Sequence, residues 1–251
     1  MMLLKSPQEL AVMDRANALV LETLRLVAAA AQPGVTTAEL DELAERHIVA
    51  RGGRPAFKGY KGYPGTLCTS VNDVIVHGIP DRRCVLREGD LLSLDCGVVL
   101  DGFYGDAAIT VPVGTVSPEA ERLVAVTRQC LEEAIAVMQP RRRLSDVGDA
   151  IQRCAEAAGF GVVRDFVGHG IGRSLHEEPQ VPNVGPAGRG PELRPGLVLA
   201  IEPMINAGSP GVVIDADGWT ARTEDGKLSA HFEYSVAVTE NGPWVLGVEK
   251  R

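Results

Sequence analysis

Positive charge is in short supply in this sequence. It has 25 lysines and arginines against 33 aspartates and glutamates, which gives a net charge of -8 and a pI near 5.2. A protein whose main role is to neutralise nucleic-acid phosphates needs a basic face, so this balance argues against such a role. The short basic run Arg141–Arg143 stays available as a contact point. We expect no specific nucleic-acid partner.

Cysteine pairs and long apolar runs are missing as well. The five cysteines are scattered, odd in number and without metal-finger spacing, so a disulfide framework is not expected and a reducing compartment fits best. The segment from Met1 to Lys5 leads at once into a charged amphipathic stretch, with neither a signal-peptide core nor a membrane-length apolar run. We therefore expect a cytoplasmic monomer that has no membrane partner.

Helix-capping motifs mark two similar halves of the chain. Ser6–Glu9 is a capping box and Thr36–Glu39 a second cap, and strand-like segments follow from about Leu67 to Val113. Ser117–Glu119 then opens another pair of helices. The order of elements thus begins again near the middle of the sequence.

A repeated stretch supports an internal duplication. Leu86–Asp95 aligns with Leu193–Glu202 at an offset of roughly 107 residues, and the helix starts at Pro7 and Pro118 share nearly the same offset. A common Leu-Arg-x-Gly turn before a strand explains one match alone, but it does not explain the shared offset.

These halves predict one α+β domain over residues 1–251, with pseudo-repeats of about 1–115 and 116–251 related by a pseudo-twofold axis. Curved antiparallel sheets are expected in the middle, with the helices covering them. Because duplicated strands hold equivalent places, we expect Asp95 and Glu202 at equivalent strand ends, facing each other across this axis.

Asp95 and Asp106 form the first candidate metal-binding pair. Leu91–Leu100 is an apolar strand, where a buried carboxylate needs a charged partner or a metal ion. The turn Asp101–Gly102 favours a type I′ hairpin in which Gly97 faces Asp106 and leaves room between the two carboxylates. Asp106 is then diagonal to Asp95, about 7 Å away. Such a pair repels unless a cation joins it, although nearby amides are an alternative partner.

Two further carboxylates and two histidines can join this pair. Glu202 ends the repeated strand, and Glu233 lies in the alternating strand Ala230–Val236. His169 stands among glycines that allow close approach, and His176 follows; either could bind a metal. Four carboxylates and an imidazole suit two divalent cations such as manganese, iron, cobalt or zinc better than one structural zinc.

His77 is the weakest candidate on the residues alone. It ends the apolar segment from Val74 to Val76 and begins a turn. A lone histidine in such a place is more often a packed core residue than a catalyst.

Eight short motifs lie along nearly the whole chain: Gly62–Pro64, Val76–Pro80, Leu94–Gly97, Gly102–Asp106, Gly168–Gly172, His176–Val181, Ile201–Met204 and Asp217–Thr220. Together they resemble the type I methionine aminopeptidases, whose fold is the duplicated pita-bread architecture. The resemblance implies that the initiator methionine is removed from nascent polypeptides by a hydroxide that two divalent metal ions activate. It also implies peptides with N-terminal methionine and the ribosome, in transient contact, as partners.

The resemblance implies a role for each candidate residue. It gives the metal ligands as Asp95, Asp106, His169, Glu202 and Glu233. It assigns substrate contact and transition-state stabilisation to His77 and His176, against the first interpretation of His77, and makes Glu202 the general base. Residues implied for the methionine pocket are Tyr60, Tyr63, Cys68 and Trp219, with Phe57 and Leu175 as further candidates.

The sequence departs from the family pattern at three positions. His231 stands where glutamine is common and Tyr234 where histidine is common, on either side of Glu233. These two changes bear on metal affinity. Leu175 replaces a frequent aromatic residue, which implies a wider methionine pocket.

Two rival functions stay open on the sequence. An X-Pro peptidase of the same fold shares the metal ligands, but those proteins usually carry an additional N-terminal domain, which we do not expect here. A metal-free binding scaffold is the second rival, and the presence of all five ligand residues argues against it.

Overall fold

The computed structural model describes residues 2–248; Met1 and residues 249–251, the ends of the predicted domain, lie outside the described residues. The α-helices are α1 Pro7–Ala30, α2 Thr37–Ala50, α3 Pro118–Ala136 and α4 Ser145–Ala157. The strands are β1 Arg54–Pro55, β2 Leu67–Val71, β3 Val74–Val76, β4 Leu91–Leu100, β5 Phe103–Pro112, β6 Gly161–Val162, β7 Gly168–Gly170, β8 Glu177–Val181, β9 Val198–Ile201, β10 Met204–Asn206, β11 Val212–Ile214, β12 Ala221–Thr223, β13 Ser229–His231, β14 Glu233–Thr239 and β15 Gly242–Val245. A short 3-10 turn covers Tyr60–Gly62.

The first two helices begin where their capping motifs predict. The Ser6 hydroxyl accepts from the Glu9 backbone N–H at 3.3 Å, and the Glu9 carboxylate accepts from the Ser6 N–H at 2.9 Å. Thr36 and Glu39 make the same reciprocal pair at the start of α2. Each pair satisfies backbone donors that the first turn of a helix leaves free. The α4 helix has no such side-chain cap, so the packing of its buried face stabilises it.

A nine-stranded antiparallel sheet forms the centre of the molecule. Its main order is β1-β4-β5-β14-β9-β7-β8, with β2 also on β4 and β15 also on β14. Two three-stranded sheets, β13-β10-β6 and β11-β12-β3, complete the strands. Helices α1 and α2 pack in one apolar cluster with β4 and β5, whereas α3 and α4 pack in another with β9 and β14. The α+β class with covering helices is confirmed.

The hairpin between β4 and β5 has the predicted register. Gly97 faces Asp106 and Leu100 faces Phe103, and the turn residue Asp101 has a positive φ of 50°, as a type I′ turn requires. The space beside Gly97 was predicted to lie open between Asp95 and Asp106, and this prediction is wrong. A Cβ there would lie 2.5 Å from Cε1 of Phe57, so the space holds this ring and is not left open between the carboxylates.

Two details of the predicted strands are wrong. The expected alternating strand over residues 230–236 breaks at Phe232, because the chain crosses there from the small sheet of β13 to the large sheet of β14. The side chains on both faces of this segment are buried, before and after Phe232, and only Tyr234 is partly exposed. Asp95 lies in the middle of β4, whereas Glu202 follows the last residue of β9, so they do not occupy equivalent ends.

The helices come in two pairs, α1–α2 and α3–α4, each followed by strands, and the duplication itself stays a prediction. Among the described residues, no helix has both the length and the apolar character needed to cross a membrane.

Candidate metal centre

The five predicted ligands lie on five consecutive strands of the large sheet. In the order β4-β5-β14-β9-β7, these strands carry Asp95, Asp106, Glu233, Glu202 and His169. Glu202 directly follows β9, and the other four lie within their strands. Positions that are far apart in the sequence are therefore brought to one side of one sheet.

The side-chain atoms of this cluster are close enough to share cations. His169 Nε2 lies 3.6 Å from Glu202 Oε1 and 4.0 Å from Asp106 Oδ2. Ligand atoms of Asp106, His169 and Glu233 all lie within 4.8 Å of one another. Asp95 lies diagonal to Asp106 across β4 and β5, and its charge raises the pKa of the Asp106 carboxyl group. Two atoms bound to one ion at about 2.1 Å each are at most about 4.2 Å apart, so small movements suffice for binding.

Buried oxygen atoms in the cluster lack partners. Asp95 Oδ1, Asp106 Oδ1 and Glu233 Oε1 are inaccessible to solvent and have no hydrogen-bond partner among the described residues. A buried carboxylate oxygen without a partner is unfavourable by several kcal/mol at most sites, whereas a divalent cation supplies the missing interaction. Carboxylates with one imidazole also match the donor set that manganese, iron, cobalt and zinc accept. The residues present fit the predicted metal ions.

The pKa values of the carboxyl groups also show that the cluster is unfavourable without a cation. Burial raises the pKa of Asp95 to about 7. Burial, followed by repulsion from the neighbouring carboxylates, raises the pKa of Asp106, Glu202 and Glu233 well above the usual range. Like charges that share a site disfavour ionisation, and a nearby cation reverses this effect.

His169, the one predicted ligand with a nitrogen donor, is neutral. Burial, and then the neighbouring His176, lowers its pKa to about 4. Its Nδ1 lies 2.9 Å from the carbonyl oxygen of Gly170, which can only accept, so Nδ1 carries the proton. The lone pair of Nε2 therefore faces the carboxylates, as metal-binding histidines require.

The five predicted ligands line a partly open cavity of about 200 Å³. Its wall includes the six residues predicted to contact substrate, Tyr60, Tyr63, Cys68, His77, His176 and Trp219. Phe57 and Leu175, the two further candidates, line it as well. The cavity also includes Lys61, which was not predicted. Only its position next to Tyr60 in the sequence could have suggested it.

Tyr60 orients His176, one of the three histidines that line the cavity. Its hydroxyl lies 2.9 Å from His176 Nδ1, and the two rings stack with their centroids 5.4 Å apart. Burial, followed by the charge of Lys61, lowers the pKa of His176. His176 also lies against His169, with ring centroids 4.2 Å apart. His176 is thus fixed between a pocket residue and a predicted ligand.

His77 follows β3 in a left-handed backbone conformation, with φ of 61°. Its ring meets the edges of Phe166 and Trp219 at 5.2 and 6.1 Å between centroids. Burial, and then His176, lowers the pKa of His77 to about 4, so the ring is neutral at physiological pH. A non-glycine residue at positive φ is uncommon and often marks a functional site. Phe166 was missed because no nearby motif points to it.

Tyr63 connects the start of β2 to the turn that follows His77. Its buried hydroxyl lies 3.0 Å from the carbonyl oxygens of both Leu67 and Gly78, to which it donates. Its ring meets the edge of Trp219, with centroids 5.1 Å apart. Tyr63 therefore fixes two walls of the cavity relative to each other.

A buried ion pair, which was not predicted, supports the turn that carries His176. Lys5 Nζ lies 2.6 Å from Glu177 Oε2, and both side chains are less than one-tenth exposed. The other oxygen of Glu177 accepts from the backbone N–H groups of Arg173 and Ser174. The segment before α1 is thus fastened to the turn beside the cavity.

Comparison with known proteins gives matches over nearly the whole chain. Residues 11–240 match the model of metallopeptidase family M24. A methionine aminopeptidase of Clostridium perfringens is 50% identical over 250 residues, covering 100% of both chains. The crystal structure of a methionine aminopeptidase from Thermotoga maritima superposes with a TM-score of 0.97 at 46% identity, covering 99% of this chain and 100% of that one.

A prolidase from Pyrococcus furiosus shares the fold at a TM-score of 0.79 and 19% identity, and this chain covers 66% of it. The predicted pita-bread fold is confirmed by these superpositions. The protein is therefore a hydrolase of the metallopeptidase class, and the chain belongs to metallopeptidase family M24 together with the methionine aminopeptidases that match its full length.

Proposed function

We propose that the protein removes the initiator methionine from nascent polypeptides, as a methionyl aminopeptidase that works with two divalent cations. The observation that carries the proposal is the group of buried, unpartnered carboxylate oxygens beside a cavity with largely apolar walls. In this proposal the free α-amine of the substrate binds next to the cations, so only the N-terminal residue of a chain is removed. The names of the full-length relatives support methionine as the residue removed.

The residues that hold the cations in this proposal are Asp95, Asp106, His169, Glu202 and Glu233. Cobalt, manganese, iron and zinc all fit this set of oxygen donors with one imidazole. When bound, the cations polarise the scissile carbonyl and lower the pKa of a water to about 7.

Glu202 moves the proton in the proposed reaction. Its carboxylate takes a proton from the attacking water and passes it to the leaving amine nitrogen. A general base must lie within hydrogen-bond reach of the proton that it takes, and Glu202 lines the same cavity as the other predicted ligands. The side chain is only 13% exposed, so bulk water does not compete for the proton.

His176 donates a hydrogen bond to the substrate in this proposal. In this proposal the Tyr60 hydroxyl, 2.9 Å from Nδ1, donates to it, and the neutral ring then carries its proton on Nε2. That N–H is then available for the oxygen of the scissile carbonyl as negative charge develops there. His77 also lines the cavity and contacts the scissile nitrogen in this proposal.

The methionine side chain occupies the apolar part of the cavity. Tyr63 and Trp219 form a rigid aromatic corner, and Cys68 lies opposite Asp95 across β2 and β4. Burial raises the pKa of the Cys68 thiol, so this residue stays neutral and offers sulfur to a flexible thioether. Leu175 gives more room than an aromatic residue would, which suits an unbranched side chain.

The decisive assay compares two peptides with added manganese or cobalt. We expect cleavage of Met-Ala-Ser but not of Ala-Pro, loss of activity after chelation, and no cleavage of N-acetylated Met-Ala-Ser. Asp95→Asn should reduce kcat by at least about a hundredfold, because it removes one anionic ligand. Asp101→Asn is the matched control, since Asp101 is exposed in a turn where Asn-Gly is equally favourable.

The rival functions predict different results in the same assay. Cleavage restricted to Ala-Pro indicates an X-Pro peptidase. Silence toward both peptides, with no metal retained after dialysis, indicates a binding scaffold. Full activity in Asp95→Asn contradicts the proposed ligand set.

We also propose a cytoplasmic monomer that contacts ribosomes transiently. Two neighbouring loops, 140–145 and 188–194, are joined by backbone hydrogen bonds. They carry five exposed arginines that form no ion pair within residues 2–248: Arg141, Arg142, Arg143, Arg189 and Arg194. Such a patch can bind RNA phosphates without reading sequence.

Co-sedimentation with ribosomes tests this contact. We expect salt-dependent binding that weakens when Arg141, Arg142 and Arg143 are all replaced by alanine. The control replaces Arg82 and Arg83, which already pair with Glu42 and Asp81. Equal binding of both variants contradicts the proposal.

A further inference from the structure

His231 is a buried histidine whose outer ring nitrogen has no partner. Its side chain is 2% exposed, and Nε2 makes no hydrogen bond with any described residue. The same atom lies 3.9 Å from Glu202 Oε2 and 3.9 Å from Glu233 Oε2. Both distances are too long for a hydrogen bond. The histidine therefore faces two carboxylates without touching either.

These separations match atoms that share one cation. Nitrogen and oxygen ligands lie about 2.0–2.2 Å from a divalent ion such as zinc, so two ligands of one ion can be up to about 4.2 Å apart. Ligand atoms of Glu202, His231 and Glu233 all lie within 4.8 Å of one another. Glu202 offers Oε1 toward His169 and Oε2 toward His231, so its carboxylate lies between the two imidazoles.

The backbone fixes the position of His231. The Thr110 hydroxyl lies 2.8 Å from both its N–H and its carbonyl oxygen, accepting from the first and donating to the second. His231 also pairs with Met204 between β13 and β10. The backbone of His231 is therefore held before any ion binds, and burial restricts where its ring can lie.

We propose that His231 is an additional metal ligand, binding through Nε2 the ion that Glu202 and Glu233 also contact. This inference rests on the proposed metal site and extends it from one imidazole to two. Imidazole favours cobalt, zinc and nickel, whereas carboxylates favour manganese and magnesium. A second imidazole shifts the preference of the site toward the first group.

Nuclear magnetic resonance of the cadmium-loaded protein tests the ligation directly. The protein is labelled with a spin-half nitrogen isotope in histidine only and loaded with a spin-half cadmium isotope. One-bond coupling between cadmium and nitrogen occurs only in a coordinated ring. We expect two of the five histidines to show it, His169 and His231. Coupling in His169 alone overturns the inference, whereas coupling in none of them overturns the proposed metal site itself.

The His231→Gln variant assigns the second signal, because it should lose one coupling and keep the other. It should also bind cobalt at least about tenfold more weakly in calorimetric titration, while its manganese affinity changes much less. Should this variant fail to fold, His47→Asn, His77→Asn and His176→Asn assign the signal by elimination, since each should retain both couplings. Loss of the second coupling in any of those variants assigns the ligand elsewhere and refutes the inference.

Discussion

Replacing Asp95 by asparagine should stabilise the metal-free protein, and more so as the pH rises. Burial raises the pKa of this carboxyl group from 3.8 to about 7, so the folded state favours the protonated form. The stability linked to this group is fully present below the unfolded-state pKa and is lost as the pH rises through the folded-state pKa. Asparagine has nearly the same shape and carries no charge at any pH.

The size of the effect follows from the pKa shift. One pKa unit corresponds to about 1.36 kcal/mol. For a shift from 3.8 to about 7, the raised pKa of Asp95 lowers the free energy of unfolding, relative to strongly acidic pH, by about 2 kcal/mol at pH 5 and about 4 kcal/mol at pH 8. The advantage of the Asp95→Asn variant should therefore grow by about 2 kcal/mol or more between these conditions. The neighbouring carboxylates, whose pKa values are raised as well, act in the same direction.

Urea unfolding of the two metal-free proteins at pH 5, 6.5 and 8 measures this difference. Neutral buried histidines also make stability depend on pH, but their contribution cancels because both proteins carry them. Asp101→Asn should show a difference of less than about 1 kcal/mol at every pH, because its ion pair with Arg15 is exposed. A variant advantage that is constant or shrinks with rising pH would refute the reasoning. After metal loading, the order should reverse, since asparagine offers the cation a weaker ligand.

Three other substitutions test how the cavity is supported. Tyr63→Phe removes the donor to two buried carbonyl groups, which should lower the unfolding free energy by about 1–3 kcal/mol and reduce kcat/KM for methionyl peptides. Lys5→Met leaves Glu177 as a buried charge without its partner, which should destabilise the protein by about 3–5 kcal/mol in urea unfolding. Gly97→Ala places a methyl group against Phe57, which should cost about 1–3 kcal/mol of stability and raise KM as the ring moves into the cavity.

Matched control variants show how much of each effect comes from the loss of the named contact. Tyr104→Phe removes a hydroxyl that makes no hydrogen bond with the described residues and should change little. Arg15→Met breaks an exposed ion pair, which should be worth less than about 1 kcal/mol. Equal losses for Lys5→Met and Arg15→Met would contradict the argument from burial. An unchanged KM in Gly97→Ala would mean that the Phe57 ring can move away from the cavity.

Local chemistry explains why the hairpin was predictable. A turn of Asp101 and Gly102 sets the register of β4 and β5, and the register alone places Asp106 diagonal to Asp95. The capping boxes at Ser6 and Thr36 are equally local signals, and both helices begin there. These predictions needed only residues that are close in the sequence.

Long-range contacts explain what could not be predicted. Lys5 and Glu177 are 172 positions apart, and nothing around either residue indicates the other. Phe166 contacts His77 only because the fold brings two distant segments of the chain together. The break at Phe232 depends on two sheets that diverge at that point, whereas the sequence pattern continues through it.

The predicted ligands come from five strands, so the stability of the folded protein should depend on the metal supply. An ion that binds only the assembled sheet stabilises the fold by mass action, by about 2.7 kcal/mol when its free concentration is a hundred times the Kd. No smaller part of the sheet holds all five residues, so partial unfolding that separates these strands releases the ion. In a cell short of metal, the apoprotein should then be the form that proteases remove first, and the amount of enzyme would follow the metal available.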